Sequence, residues 1–265
     1  MRKTKATSST EVRHETDWAA KLGRLRRFNI SMGMLHAVQA ALVLFLANSF
    51  TLPVTATYLT GPPGSPAGQP TVLADISVAW GVVLFLLLSA GFHLLISAPG
   101  FFERYGIGLA NRRNNFRWVE YSLSSSVMIV LIAMLTGITD VAALIALFGV
   151  NASMIFFGVV QEKYERPGGS LLPFWLGCGP AIIPWIAIGI YLFTPGSAAQ
   201  PPGFVYGIFF SLFVFFNIFA LNMWLQYRQL GRWSDYLHGE RVYIWLSLVA
   251  KSALAWQAFG GTLAV

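Results

Sequence analysis

RVYIWLSLVAKSALAWQAF, residues 241–259, is the stretch that decides how this chain folds. After Arg241 it is apolar over the length a bilayer-crossing helix needs, except for Lys251 near its centre. An ammonium at that depth costs roughly 2.5–3.5 kcal/mol on insertion scales, so a lysine kept there is a functional candidate by default. It lies well past Arg241, roughly 15 Å along a helix. That distance strains the alternative, a side chain that snorkels to the interface or pairs with a carbonyl. Covalent chemistry is what makes a buried lysine useful, because its amine can form a Schiff base with a carbonyl ligand.

The composition agrees with a membrane setting. Hydrophobic residues make up 55% of the chain, charged residues 11% and aromatics 15%, which separates it from soluble domains. The single cysteine, Cys178, excludes an internal disulfide and a thiolate metal cluster. The net charge of +7 reads as loops held on one membrane face rather than as a nucleic-acid footprint. Nothing in the pattern calls for an enzyme or a metal site.

Outward from Lys251, seven apolar spans are predicted. Four cover about residues 28–50, 73–98, 116–138 and 141–161; two more lie between Arg166 and Arg228; the last is about 242–259. TPGSAAQPPG, residues 194–203, divides the charge-free stretch between Arg166 and Arg228 by its turn chemistry. Apart from Lys251, the other 17 of the 18 basic residues all fall in the N-terminal tail or in the second, fourth and sixth loops. By the positive-inside rule the N-terminus is cytoplasmic and the C-terminus extracellular, as an odd number of spans requires. Residues 1–23 are polar and lack a cleavable signal pattern. They are expected to form a cytoplasmic extension, disordered or partly helical, ahead of a membrane domain over 24–265. The loop after the first span is rich in Thr, Val and Tyr between Thr51 and Leu59, and GPPG opens a tight turn. A small extracellular β-hairpin and an irregular proline-rich loop both fit it. No internal repeat is visible, which argues against transporters built from duplicated halves.

Polar groups inside the spans are few. Glu120, the deeply placed charge of the third span, is the obvious partner for Lys251. It sits shallower by hydropathy, and Arg117 one turn away offers the alternative of a snorkelling carboxylate. Both helices run outward from the same side, and helical side chains lean toward the N-terminus, so the lysine reaches back toward the glutamate. His36 and His93 fall in the same half of the membrane. A lone membrane histidine is more often a hydrogen-bonding residue between helices, but two near one glutamate point to a polar cavity. Ser247 precedes Lys251 by one turn on the same face. Tyr121, Ser124 and Ser125 extend the stripe beside Glu120, although serine in a membrane helix is often a close-packing residue. Asp75 and Asp140 stand at the opposite helix ends as interfacial carboxylates. No titratable side chain in the outer half could pass a proton from Lys251 outward.

These residues lie within runs that resemble the heliorhodopsins, retinal proteins distantly related to the microbial rhodopsins. The runs are FRWVEYSLSSSVMIVLIA (116–133), FGVNASMI (148–155), LLPFW (171–175), PGFVYGI (202–208) and LSLVAKSALAWQ (246–257). The likeness extends from about Arg24 to the C-terminus. It implies an all-α integral membrane protein, a seven-helix rhodopsin-like bundle with a short extracellular β-hairpin between helices 1 and 2. It also implies all-trans retinal bound through Lys251, with Glu120 as counterion, Ser247 beside the Schiff base, and His36 and His93 in the family's histidine positions. An inverted, N-inside orientation and a homodimer to which the first extracellular loop contributes strands follow from the same likeness. Met154, Pro184, Trp185 and Phe216 lie where a retinal ring would be held, with ordinary helix packing an equally good account of each.

The expected function is light sensing. Isomerisation would alter the Glu120–Lys251 interaction, the proton would stay in the His36/His93/Glu120 cavity, and the output would be a conformational change read by a cytoplasmic partner. Arg104, Arg112 and Arg113 could dock such a partner, or could serve topology alone. The first rival is an ion-translocating rhodopsin, against which the missing outer relay argues. The second is a seven-helix carrier or receptor without chromophore; such carriers and receptors place the N-terminus outside, contrary to the loop charges.

Overall fold

The computed structural model describes residues 2–194 and 200–263, with side chains from residue 16 onward. Among the described residues seven helices are long and apolar enough to cross a membrane. Helix α1 (Arg2–Leu46) is followed by strands β1 (Thr51–Ala56) and β2 (Thr71–Ser77), then α2 (Val78–Leu95), α3 (Pro99–Ala110) and α4 (Asn115–Leu135). The chain continues through α5 (Val141–Tyr164), α6 (Leu172–Phe193), α7 (Gly203–Tyr227) and α8 (Tyr236–Ala258), the last prolonged by a wider π turn to Leu263. All but α3 are the spans; α1 packs on α2, α2 on α4, α4 on α5, α5 on α6, α7 on α8, and α8 returns to α1. Aliphatic side chains fill the interior, with Val82, Leu86, Ile129, Ile132, Ile188, Leu212 and Leu254 in one buried cluster.

The bundle has two unlike ends. At one, β1 and β2 form an antiparallel hairpin in which Thr51 pairs with Ser77 and Ala56 with Thr71, with a register shift between Val54 and Thr55. Its loop turns through Pro62–Ser65, where Ser65 N–H donates to Pro62 O at 3.0 Å and Gly64 takes φ 96°. A glycine supplies that positive φ without steric cost. Thr55 fastens the hairpin to the α4–α5 connection by donating to Thr139 O at 2.9 Å. The hairpin alternative is therefore the one realised. Its second strand takes residues expected to begin helix 2: α2 starts at Val78, capped by the Ser77 hydroxyl, which accepts from Trp80 N–H.

Three boundaries differ from expectation, one of them, the end of α1, at the hairpin end. Helix α1 is continuous from Arg2, and it ends at Leu46 rather than near residue 50 because Asn48 turns the chain into β1. Helix α8 begins at Tyr236, capped by Asp235, six residues before the predicted start. Arg241 had been counted with the sixth loop, but the helix runs through it, and the Glu240 charge beside it is buried and paired. The loop after α2 also holds an unforeseen helix, α3, with Pro99 in its first turn and Tyr105 and Leu109 buried. Tyr105 and Leu109 sit one turn apart, a pattern that periodicity alone carries. The break between the fifth and sixth spans agrees with the ends of α6 and α7, while its centre, 195–199, lies outside the described residues.

Candidate functional site

Lys251 is buried, with its side chain 4% exposed, and is held from two sides. Its Nζ donates to Glu120 Oε1 at 2.7 Å and to Ser247 Oγ at 2.8 Å. Ser89 Oγ, from α2, donates to the same Glu120 oxygen at 2.6 Å. A buried ion pair survives desolvation only when further hydrogen bonds complete it, and Ser89 of α2 and Ser247 of α8 supply them here. The depth mismatch expected between the two charges is narrowed by side-chain direction. From Glu240 to Lys251 is roughly 16 Å along α8, while from Arg117 to Glu120 is roughly 4.5 Å along α4. Lys251 reaches back one turn to Ser247, toward the start of its own helix, which takes up part of the difference. The Lys251 ammonium also lies 5.3 Å from the Tyr121 ring centre, within cation–π range.

The two histidines come together. His36 and His93 stack with ring centroids 5.8 Å apart and planes 11° from parallel. His93 Nδ1 lies 2.7 Å from Asn29 Oδ1, whereas both ring nitrogens of buried His36 have no hydrogen-bond partner among the described residues. Ser125 donates to Tyr121 O and accepts from Asn151 Nδ2, which also reaches Ser126.

Beside Lys251 lies an apolar cavity of about 200 Å³ reaching α4, α5, α6, α7 and α8. Tyr243, Ser247 and Lys251 line it from α8; Tyr121, Ser124, Ser125, Met154, Trp185 and Phe216 also line it. The Trp185 ring meets Phe209, Phe213 and Phe216 edge-on at 5.4 to 5.6 Å, the arrangement aromatic quadrupoles favour. Pro184 does not line the cavity; it is buried inside α6, next to the tryptophan that does. His36 also lies off this cavity. A long apolar group with one carbonyl end fits this space: an amine with a neighbouring carboxylate at one wall, aromatic rings elsewhere.

Sequence reading missed several of these residues. Ser89 precedes His93 by one turn on α2, a spacing that could have revealed it. Asn29 precedes His36 by two turns on α1. The largest omission is a second ionic cluster one turn from Glu120. Arg117, counted above among loop charges, is buried and paired with both Glu162 of α5 and Glu240 of α8. Glu162 further accepts from Trp118 Nε1 at 2.7 Å, Asn114 N at 2.8 Å and Tyr236 O–H at 3.0 Å. Glu240 accepts from Asn114 Nδ2 at 2.6 Å and Tyr105 O–H at 3.2 Å. The guanidinium lies 4.0 Å from the Tyr243 ring centre and 4.6 Å from that of Trp118. Arg113 is engaged too, donating to the last carbonyls of α5 at Glu162 and Lys163.

A seven-helix membrane bundle with a buried lysine paired to a carboxylate beside an apolar cavity defines a rhodopsin-type protein. The heliorhodopsin family model matches residues 25–263, and the chain belongs to that family. No curated protein matches it. It is thus an integral membrane protein of the rhodopsin type, a light-sensing class whose family membership implies a retinal chromophore.

Proposed function

We propose that all-trans retinal occupies the apolar cavity, joined to Lys251 as a Schiff base, and that light there drives a conformational signal without net ion transport. The observation that carries this is the Lys251–Glu120 pair at 2.7 Å, whose lysine lines that cavity. Bound there, retinal would supply the visible absorption and the isomerisation that reorients the N–H at the lysine nitrogen. Glu120 acts as counterion, because a buried cation needs a near carboxylate. Ser89 and Ser247 hold the two charges in register, and the aromatic wall of Trp185, Phe213 and Phe216 keeps water out.

The released proton stays on the arginine-rich side, in the polar region that begins at Glu120, His36 and His93, and then returns. Support comes from the chain itself: past Lys251, Glu120 and His36 toward the hairpin, the helices carry no Asp, Glu, His, Lys or Arg. That end is extracellular in this proposal, with the basic loops cytoplasmic. A homodimer fits the exposed second hairpin strand, which offers Val72, Leu73 and Ile76 to a second copy.

The test is addition of all-trans retinal to expressing cells. Visible colour that disappears in Lys251→Ala is expected; colour surviving that change would defeat the assignment. A light-driven pH change in vesicles, abolished by an uncoupler, would overturn retention of the proton.

A further inference from the structure

Polar groups on the arginine-rich side of Lys251 continue beyond Glu120. A second cavity, of about 30 Å³, is lined by Glu120 and His93 together with Asn114, Arg117 and Glu240. Its walls are mixed, with Phe92, Ile96, Phe116 and Ile244 among them, and a space of that size holds about one water where polar partners such as His93, Glu120 and Glu240 face it. It brings the carboxylate beside Lys251 and a carboxylate of the Arg117 cluster to one chamber.

The two charge clusters are not balanced alike. At Lys251 one ammonium meets one carboxylate. At Arg117 one guanidinium meets two carboxylates, leaving one negative charge, with the three side chains only 4%, 3% and 2% exposed. Arginine stays charged throughout, so a proton is what can cancel the excess. The two carboxylates differ in their capacity to take it. Glu162 has two donors on each oxygen, Arg117 and Tyr236 on Oε1 and Asn114 N–H and Trp118 on Oε2, and it lies off the chamber. Glu240 lines the chamber, and its Oε2 has Arg117 as its sole donor among the described residues.

We propose that Glu240 holds the proton that leaves the Lys251 nitrogen, and that Tyr105 reads its arrival; this rests on the retinal assignment above. The N–H bond at Lys251 breaks and leaves its electron pair on the nitrogen, which becomes neutral. Glu120 takes the proton and releases it through the water-sized chamber, and the Glu240 carboxylate becomes a carboxylic acid. Glu120 is ionised again, the Arg117 cluster is neutral, and total charge is unchanged. A protonated carboxyl is a weaker acceptor than a carboxylate. The bond from Tyr105, at 3.2 Å the longest to Glu240, is the first released. Burial and the Glu240 charge push the Tyr105 phenol well above its ordinary range, so it remains a donor. Tyr105 belongs to α3 and packs with Leu25 of α1 and Leu237 of α8, so its release loosens the layer that faces a cytoplasmic partner.

Light-minus-dark infrared spectra of the retinal-loaded full chain in lipid vesicles test this. A carbonyl band of a newly protonated carboxylic acid should rise as the visible band falls. It should shift in deuterium oxide, persist in Glu162→Gln, move in Glu240→Asp and vanish in Glu240→Gln. The same band surviving in Glu240→Gln overturns the proposal; should that variant not fold, a band unmoved in Glu240→Asp does so. Independently of light, retinal-free Glu240→Gln should show faster amide exchange across Pro99–Ala110 than wild type, and unchanged exchange would overturn the role of Tyr105. Wild type that never forms a pigment defeats the retinal assignment and this proposal with it. A normal photocycle without a Glu240 band defeats this proposal alone.

Discussion

Two buried ionic sites share helices α4 and α8, and they are built for different ends. Lys251 is matched one to one by Glu120 and itself opens on the large cavity. Arg117 is enclosed by Glu162, Glu240, Tyr243 and Trp118. Lysine is a nucleophile on a flexible stem that can give up its proton, whereas guanidinium is a fixed fork that cannot. The first site therefore suits chemistry with a ligand, and the second suits fastening α4, α5 and α8 together. Burial alone does not distinguish them. Residue type and adjacent space do.

The contrast can be broken most forcefully at Arg117. Arg117→Ala leaves two carboxylates buried without their cation and should cost about 3–5 kcal/mol, read as a large fall in thermal midpoint. Arg117→Lys should recover part of it, lacking the two-pronged geometry. A stable Arg117→Ala protein would show the cluster is not a fastening. Glu120→Gln should act the other way, displacing or abolishing the visible band of the retinal-loaded protein with a smaller stability loss, because Lys251 can relinquish its charge. An unchanged absorption spectrum would remove Glu120 as counterion.

Gly158 ties the two sites together. A Cβ there would lie 2.5 Å from the Trp118 ring, whose Nε1 donates to Glu162. Gly158→Ala should cost about 1–3 kcal/mol by overpacking and should disturb both the thermal midpoint and the absorption, since Gly158 and Trp118 line the large cavity. A variant altered in one alone would separate the sites. The smallest effect is expected for Ser89→Ala, which removes one bond to a charged group, about 1.5 kcal/mol. Its band should shift in the same direction as in Glu120→Gln and by less, measured on the two purified pigments together.

Much of the first site was legible because its residues break a strong pattern. Lys251 and Glu120 stand out against apolar runs, Ser247 lies one turn from Lys251, and two histidines at similar depth are conspicuous. The second site was hidden for the opposite reason: Arg117, Glu162 and Glu240 stand at span ends, where charges are ordinary. Nothing in their spacing says that a guanidinium turns inward to meet two carboxylates from other helices. Ser89 was lost among other small residues of α2, and α3 was lost because charge counting treats every segment between spans as a loop.

The sequence by itself determined the number of spans, the side on which the basic residues collect, and the lysine that pairs with Glu120. These follow from the cost of charge in hydrocarbon, which acts locally and leaves a mark in every run. The tertiary structure decided which carboxylate meets which cation, where the cavity lies, and that the loop after α1 is a hairpin pinned to Thr139. Those are matters of side-chain reach and of packing among helices distant in sequence, and a linear pattern of polarity does not carry them.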